Sequence, residues 1–129
     1  MRILLVKPYP ELLIARRLQR FLHLEPIELE IVAGGIPADN EIKIVDLSLE
    51  KKPLVVFDKI FRNWLPDLVG FSGYSSNVDV VKQLARITKK IDSRIVTVVG
   101  GIHATLLPED YAIKDIDIIV RGEGGTILG

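Results

Sequence analysis

Three short segments combine glycine with hydroxyl or charged side chains: Ser72-Gly73-Tyr74-Ser75-Ser76-Asn77, Gly100-Gly101-Ile102-His103-Ala104-Thr105 and Arg121-Gly122-Glu123-Gly124-Gly125. Each follows an apolar run. Glycine lets a ligand come close to the backbone, and the neighbouring N–H and O–H groups offer it hydrogen bonds. Glycine and serine also make ordinary turns, and any one such segment is a weak signal. Three of them after apolar runs point to one cradle. Neither a phosphate loop ending in Gly-Lys-Ser/Thr nor a Gly-x-Gly-x-x-Gly fingerprint is present, so ATP and NAD sites lack their motifs. His103 reads most simply as a loop histidine that shapes its turn, because no ligand set accompanies it. His23, among basic neighbours, reads as a surface residue. Glu109 and Glu123 are acid–base candidates by type, and Glu123 more simply pairs with Arg121 or accepts loop N–H groups. No residue is assigned a catalytic or metal-ligating role.

The elements that position these segments follow from periodicity. Apolar, β-branched runs at Arg2–Val6, Ile42–Asp46, Leu68–Ser72, Arg94–Val99 and Ile116–Val120 predict five strands. They are apolar throughout, as in parallel sheets covered on both faces. Phe57, Ile60, Phe61, Trp64 and Leu65 share one helical face, with Pro53 at the start and Pro66 past the end. Trp64 on that face reads as core packing. Val78, Val81, Leu84, Ala85 and Thr88 form a second face, capped by Ser76 or Asn77 and ended by Lys89-Lys90. Ile14, Leu18, Phe21 and Leu22 form a third, with Arg16, Arg17 and Arg20 turned to solvent and Glu25-Pro26 as the break. The stretch 26–37 is read as a helix, because parallel neighbours need a crossover. Strands alternating with helices predict an α/β fold: a doubly wound, mostly parallel five-stranded sheet in a Rossmann-like or flavodoxin-like three-layer sandwich. Such folds bind ligands beyond the carboxyl ends of the strands, where the strand order reverses.

Composition narrows the partners. The chain has 129 residues, which suits one domain, and 48% of them are apolar. Lys plus Arg and Asp plus Glu number 17 each, a balance that argues against nucleic acid or an anionic membrane as partner. The absence of cysteine excludes disulfides, a thiol nucleophile, a thiolate zinc site and an iron–sulfur cluster held by these residues alone. It suits a reducing compartment. No run approaches the roughly 18 apolar residues of a membrane span. The apolar start before Lys7-Pro8 is shorter than the roughly 7–15 residues of a signal-peptide core. A soluble, cytoplasmic protein is expected.

Val98-Val99-Gly100-Gly101-Ile102-His103-Ala104-Thr105, then Leu107-Pro108-Glu109, then Asp117 to Val120 and Arg121-Gly122-Glu123-Gly124, preceded by Pro66-Asp67-Leu68-Val69-Gly70-Phe71-Ser72, occur in this order. Together they resemble the N-terminal cobalamin-binding domain of radical S-adenosylmethionine (radical SAM) enzymes. That group includes methyltransferases and anaerobic-type magnesium-protoporphyrin monomethyl ester cyclases. The resemblance covers most of the chain from Pro26 onward and makes residues 1–129 one cobalamin-binding domain.

The resemblance implies a corrin lying over the strand ends, with its nucleotide tail running down into the sheet–helix core. Cofactor-binding positions would be Pro8, Tyr9, Ser72, Gly73, Tyr74, Ser75, Gly100, Gly101, Ile102, His103, Arg121, Gly122, Glu123 and Gly124. Ser72 would lie near the buried base, Gly100 and Gly101 would admit the tail, and 121–124 would close the rim. Tyr74 stands where the family's Ser-x-Leu loop has leucine. Many cobalamin proteins carry Asp-x-His-x-x-Gly after the first strand. Lys7-Pro8-Tyr9-Pro10 stands here instead, so cobalamin is expected without a protein imidazole ligand, its lower face covered by the first loop. A weaker lower ligand favours cobalt(I), the methyl-accepting nucleophile. The Cys-x-x-x-Cys-x-x-Cys loop, its 4Fe-4S cluster and S-adenosylmethionine are expected in a catalytic domain downstream of Gly129, with methyl transfer or oxidative cyclisation the work of the whole protein. Two other readings compete. A receiver-like signalling domain needs an aspartate where Ser72 ends the third strand. A Rossmann-like interaction or regulatory domain would keep the fold without the ligand.

Overall fold

The computed structural model describes residues 1–8, 40–47, 50–72 and 78–120, with Ile102 and His103 by their backbone alone. The expected helix at 14–22, the stretch 26–37 and the caps at Ser76 and Asn77 lie outside these residues. The strands are β1 (Arg2–Lys7), β2 (Glu41–Asp46), β3 (Leu68–Ser72), β4 (Val96–Gly100) and β5 (Ile118–Ile119). All pair in parallel, in the order β2-β1-β3-β4-β5. This is the doubly wound flavodoxin-like arrangement, whose strand order reverses between β1 and β3. The expected fold class is therefore the observed one.

One face of the sheet carries the main core. Leu4, Val6, Val69, Phe71 and Val99 point to it. Helix α1 (Pro53–Asn63) brings Phe57 and Phe61 against them. The two rings meet edge to face with centroids 4.8 Å apart, and Phe57 lies 6.4 Å from Phe71. Helix α2 (Val78–Ile91) buries Val80, Val81, Leu84, Ala85 and Thr88. The opposite face carries Ile3 and Leu5, with Ile42 and Leu68 packed beside them.

Strands β1 and β2 each run one residue longer than expected, and other boundaries shift further. Trp64 caps α1, its N–H donating to Ile60 O at 2.8 Å, so Leu65 leaves the helix and is 61% exposed. Trp64 packs partly on the core and carries two cations over its ring, Lys43 at 5.1 Å and Arg2 at 5.8 Å. Strand β4 begins at Val96 because Arg94 is drawn into a turn by Asp92, whose Oδ1 accepts from its N–H at 2.9 Å. Strand β5 is two residues long, with Ile116 buried just before it.

The amino ends of β4 and β5 are fastened by a polar cluster. Lys89, at the end of α2, donates to Ile95 O at 2.6 Å and to Asp117 Oδ2 at 2.5 Å. The same carboxylate oxygen accepts from Thr97 N–H at 2.9 Å. Thr97 Oγ1 donates to Asp115 O at 2.6 Å. Lys89 thus does more than answer the helix dipole: it ties α2 to the strand on each side of the next crossover.

Short helix α3 (Ile102–Leu106) and a 3-10 turn (Pro108–Tyr111) follow β4. No helix among the described residues is long and apolar enough to cross a membrane.

Candidate functional site

Side chains alternate across a strand, so residues at equal register on neighbouring strands share a face. Register pairs Lys7 with Asp46, and Ser72 with Gly100. Carried one step past Val6–Phe71, it sets Lys7 beside Ser72; one step past Val99–Ile119, it sets Gly100 beside Val120. The last row of the sheet at its carboxyl edge therefore reads Asp46, Lys7, Ser72, Gly100, Val120. It lies on the face of Ile3 and Leu5, and its middle is the β1/β3 crevice.

Two features of this row lack an explanation within the described chain. Ser72 is 4% exposed, and its buried Oγ has no hydrogen-bond partner among the described residues. An unpaired buried hydroxyl costs about 1–3 kcal/mol, so such a group calls for a partner supplied from elsewhere. Gly100 is the second. Its φ is not positive, and a Cβ there would meet Val120 Cβ at 3.7 Å and Val120 O at 3.8 Å, ordinary contacts. Neither backbone conformation nor packing against described residues requires glycine at this position.

Gly70, one row inward, differs. A Cβ there would come 3.0 Å from Leu5 Cδ2, so glycine makes room for the buried Leu5. Gly101 differs again: its φ of 107° is a conformation that side chains rarely adopt, and it turns β4 into α3. Thr105 steadies that turn by donating to Gly101 O from both N (3.0 Å) and Oγ1 (2.9 Å). Of the two adjacent glycines, one serves the backbone, and the other is required by no described neighbour.

Pro8 is buried immediately after Lys7. Lys7 is itself buried, its Nζ 3.8 Å from Asp46 Oδ2. Ile102 and His103 open α3 at the same edge. The structure thus brings Pro8, Ser72, Gly100 and Gly101 to one sheet edge, with the backbone of Ile102 and His103. Tyr9, Gly73, Tyr74, Ser75, Arg121, Gly122, Glu123 and Gly124 lie outside the described residues. Lys7 and Asp46 were not among the site residues expected from sequence. A charged residue closing each of two neighbouring apolar strands was the available signal.

Of the acid–base candidates, Glu109 is described and Glu123 is not. Glu109 is exposed on the 3-10 turn. Tyr111 is buried in the core, and burial, helped by the charge of Asp110, pushes its phenol up to about 12, so it stays neutral at physiological pH. Among the described residues no group of His, Cys, Asp and Glu could hold a metal ion.

The model of the B12 binding domain family matches residues 17–129. An uncharacterized methyltransferase of Pyrococcus horikoshii is 32% identical over 127 residues, 96% of this chain and 27% of its own length. The anaerobic magnesium-protoporphyrin IX monomethyl ester cyclase of Rubrivivax gelatinosus is 36% identical over 66 residues, 49% of this chain and 12% of its own. The cytidylyl-2-hydroxyethylphosphonate methyltransferase of Streptomyces wedmorensis is 28% identical over 103 residues, 74% of this chain and 18% of its own. The chain thus spans about a quarter or less of each relative's length.

Proposed function

The chain belongs to the B12-binding domain family, and on that premise we propose that it holds cobalamin over the carboxyl edge of its sheet, with the nucleotide tail entering beside Ser72 and Gly100. The observation that carries this reading is the pair just described: a buried hydroxyl with no partner among the described residues, next to a glycine that those residues do not themselves require. The two are register neighbours: Ser72 borders the strand-order reversal between β1 and β3, where doubly wound folds take their ligands, and Gly100 stands on the next strand.

Ser72 Oγ then donates to, or accepts from, the buried part of the tail. Gly100 leaves the volume that the tail needs. Gly101 and Thr105 hold the turn that starts α3 and keep the backbone of Ile102 and His103 at the edge. Pro8 and Tyr9 would contact the cofactor from the first loop, as would Gly73, Tyr74, Ser75, Arg121, Gly122, Glu123 and Gly124 from the loops after β3 and β5. Lys7-Pro8 follows in place of an imidazole-bearing motif, so the chain offers no histidine there as a lower ligand. When bound, cobalamin supplies a cobalt centre able to accept and donate a methyl group.

The relatives' names and greater lengths support methyl transfer or cyclisation by a longer polypeptide, and the resemblance of the motifs adds the kind of catalytic domain. This domain serves a catalytic radical SAM domain of the same polypeptide, which carries the 4Fe-4S cluster and S-adenosylmethionine and performs methyl transfer or oxidative cyclisation, in the cytoplasm.

The test is a visible absorption titration with hydroxocobalamin, followed by gel filtration to remove free ligand. Retained cobalamin with a perturbed spectrum, lost in Gly100→Leu and weakened in Ser72→Ala, is the expected result. A wild-type chain that retains no cobalamin, alone and when joined to its catalytic domain, would overturn the reading.

A further inference from the structure

The carboxyl-edge row also contains a charge that tail binding through Ser72 and Gly100 leaves without a task. Lys7 ends β1 on the Ser72 face and is 8% exposed. Its ammonium lies 3.8 Å from Asp46 Oδ2, on the residue that register sets opposite it, and the two side chains are 10% and 8% exposed. Lysine at a strand end ordinarily runs its stem along apolar surface and leaves its ammonium in water. Here the ammonium is held inside, at the crevice where strand order reverses. A buried ion pair adds little net stability, because desolvating both charges offsets their attraction. Stability is therefore a poor reason for this pair to occupy the ligand edge.

We propose that Lys7 is a positioning residue for the ligand, its ammonium recognising an anionic group on the part that enters beside Ser72. In cobalamin that group is the phosphodiester of the nucleotide tail. The proposal deepens the cobalamin reading and rests on it. Asp46 holds the ammonium at the crevice before the ligand arrives. The phosphodiester then shares the ammonium with Asp46, while Ser72 meets the uncharged part of the tail. A compact ammonium suits this task, since it binds phosphate as a point charge and needs no planar fork.

The experiment compares two corrinoids. Hydroxocobalamin carries the phosphodiester, sugar and base; cobinamide is the same corrin without them. Absorption titrations are run on the 129-residue chain and on Lys7→Met, Lys7→Arg and Lys7→Met/Asp46→Asn. The double variant leaves no buried unpaired carboxylate, and its thermal melt establishes that it is folded. Loss of one charge-assisted contact predicts cobalamin binding about 10- to 100-fold weaker in Lys7→Met and in the double variant, with cobinamide unchanged and Lys7→Arg retaining most of the affinity. Equal weakening of both corrinoids would show that Lys7 only shapes the edge, and would overturn the proposal. So would cobalamin affinity within about twofold of wild type in the folded double variant. In both cases wild-type binding leaves the cobalamin reading standing. A wild-type chain that binds neither corrinoid, alone and when joined to its catalytic domain, overturns both.

Discussion

Replacing Gly100 by alanine should move stability and ligand binding in opposite directions. Its added methyl meets only Val120 among the described residues, at 3.7 and 3.8 Å, and its φ is not one that alanine avoids. A glycine replaced by alanine at a compatible position gains about 0.4–1 kcal/mol, mainly because the unfolded chain has less freedom to lose. For 129 residues at about 2.1 cal/mol/K each, the unfolding entropy near the midpoint is about 0.27 kcal/mol/K, so the melting temperature should rise by about 1.5–4 °C. With cobalamin the methyl occupies tail volume. Overpacking of this size costs about 1–3 kcal/mol, or roughly 5- to 150-fold in affinity. The assay is a thermal melt without ligand, paired with a hydroxocobalamin titration. A lower melting temperature would show that the chain itself needs this glycine, and unchanged affinity would show that no ligand reaches it. Either result refutes the argument.

Gly101→Ala should instead cost about 1–2 kcal/mol with or without ligand, since φ of 107° is strained for any side chain, and a melt of the free chain should fall accordingly. At the amino edge, burial raises the Asp117 carboxyl but is outweighed by the Lys89 ammonium and the Thr97 N–H, which hold it below the usual range. A lowered carboxyl stabilises the fold above its unfolded value near about 3.9, and that contribution is lost as pH falls through the folded value; acid titration of Asp117→Asn should therefore show a flatter loss of stability below about pH 4 than wild type. Tyr111 works in the opposite direction. Its phenol is raised to about 12, so its contribution is complete below about pH 10 and fades from there to about 12; ultraviolet titration should show one tyrosine ionising late, and Tyr111→Phe should remove that step.

Much of the fold was legible because its signals are local. The unbroken apolar run Ile3-Leu4-Leu5-Val6 announces a strand covered on both faces, and all four residues are buried. The spacing of Val81, Leu84, Ala85 and Thr88 marks the face that α2 turns to the core. Leu65 misled because period alone carries the helix past Asn63, while the chain stops it with a cap at Trp64. The glycines after β4 were legible as a pair and not as individuals: composition makes Gly100 and Gly101 alike, and only backbone torsions separate them.

The amino-acid sequence by itself determined the alternation of strands and helices, the family motifs and the edge at which small and hydroxyl residues gather. The tertiary structure decided which strands adjoin. Asp46, Lys7, Ser72, Gly100 and Val120 come from five separate strands or their ends and share no periodicity. They form one row only because parallel register aligns them. The burial of Lys7, and among the described residues the lack of a partner for Ser72 Oγ and the room for a side chain at Gly100, arise from that alignment, because they are properties of neighbours brought together across the sheet rather than along the chain.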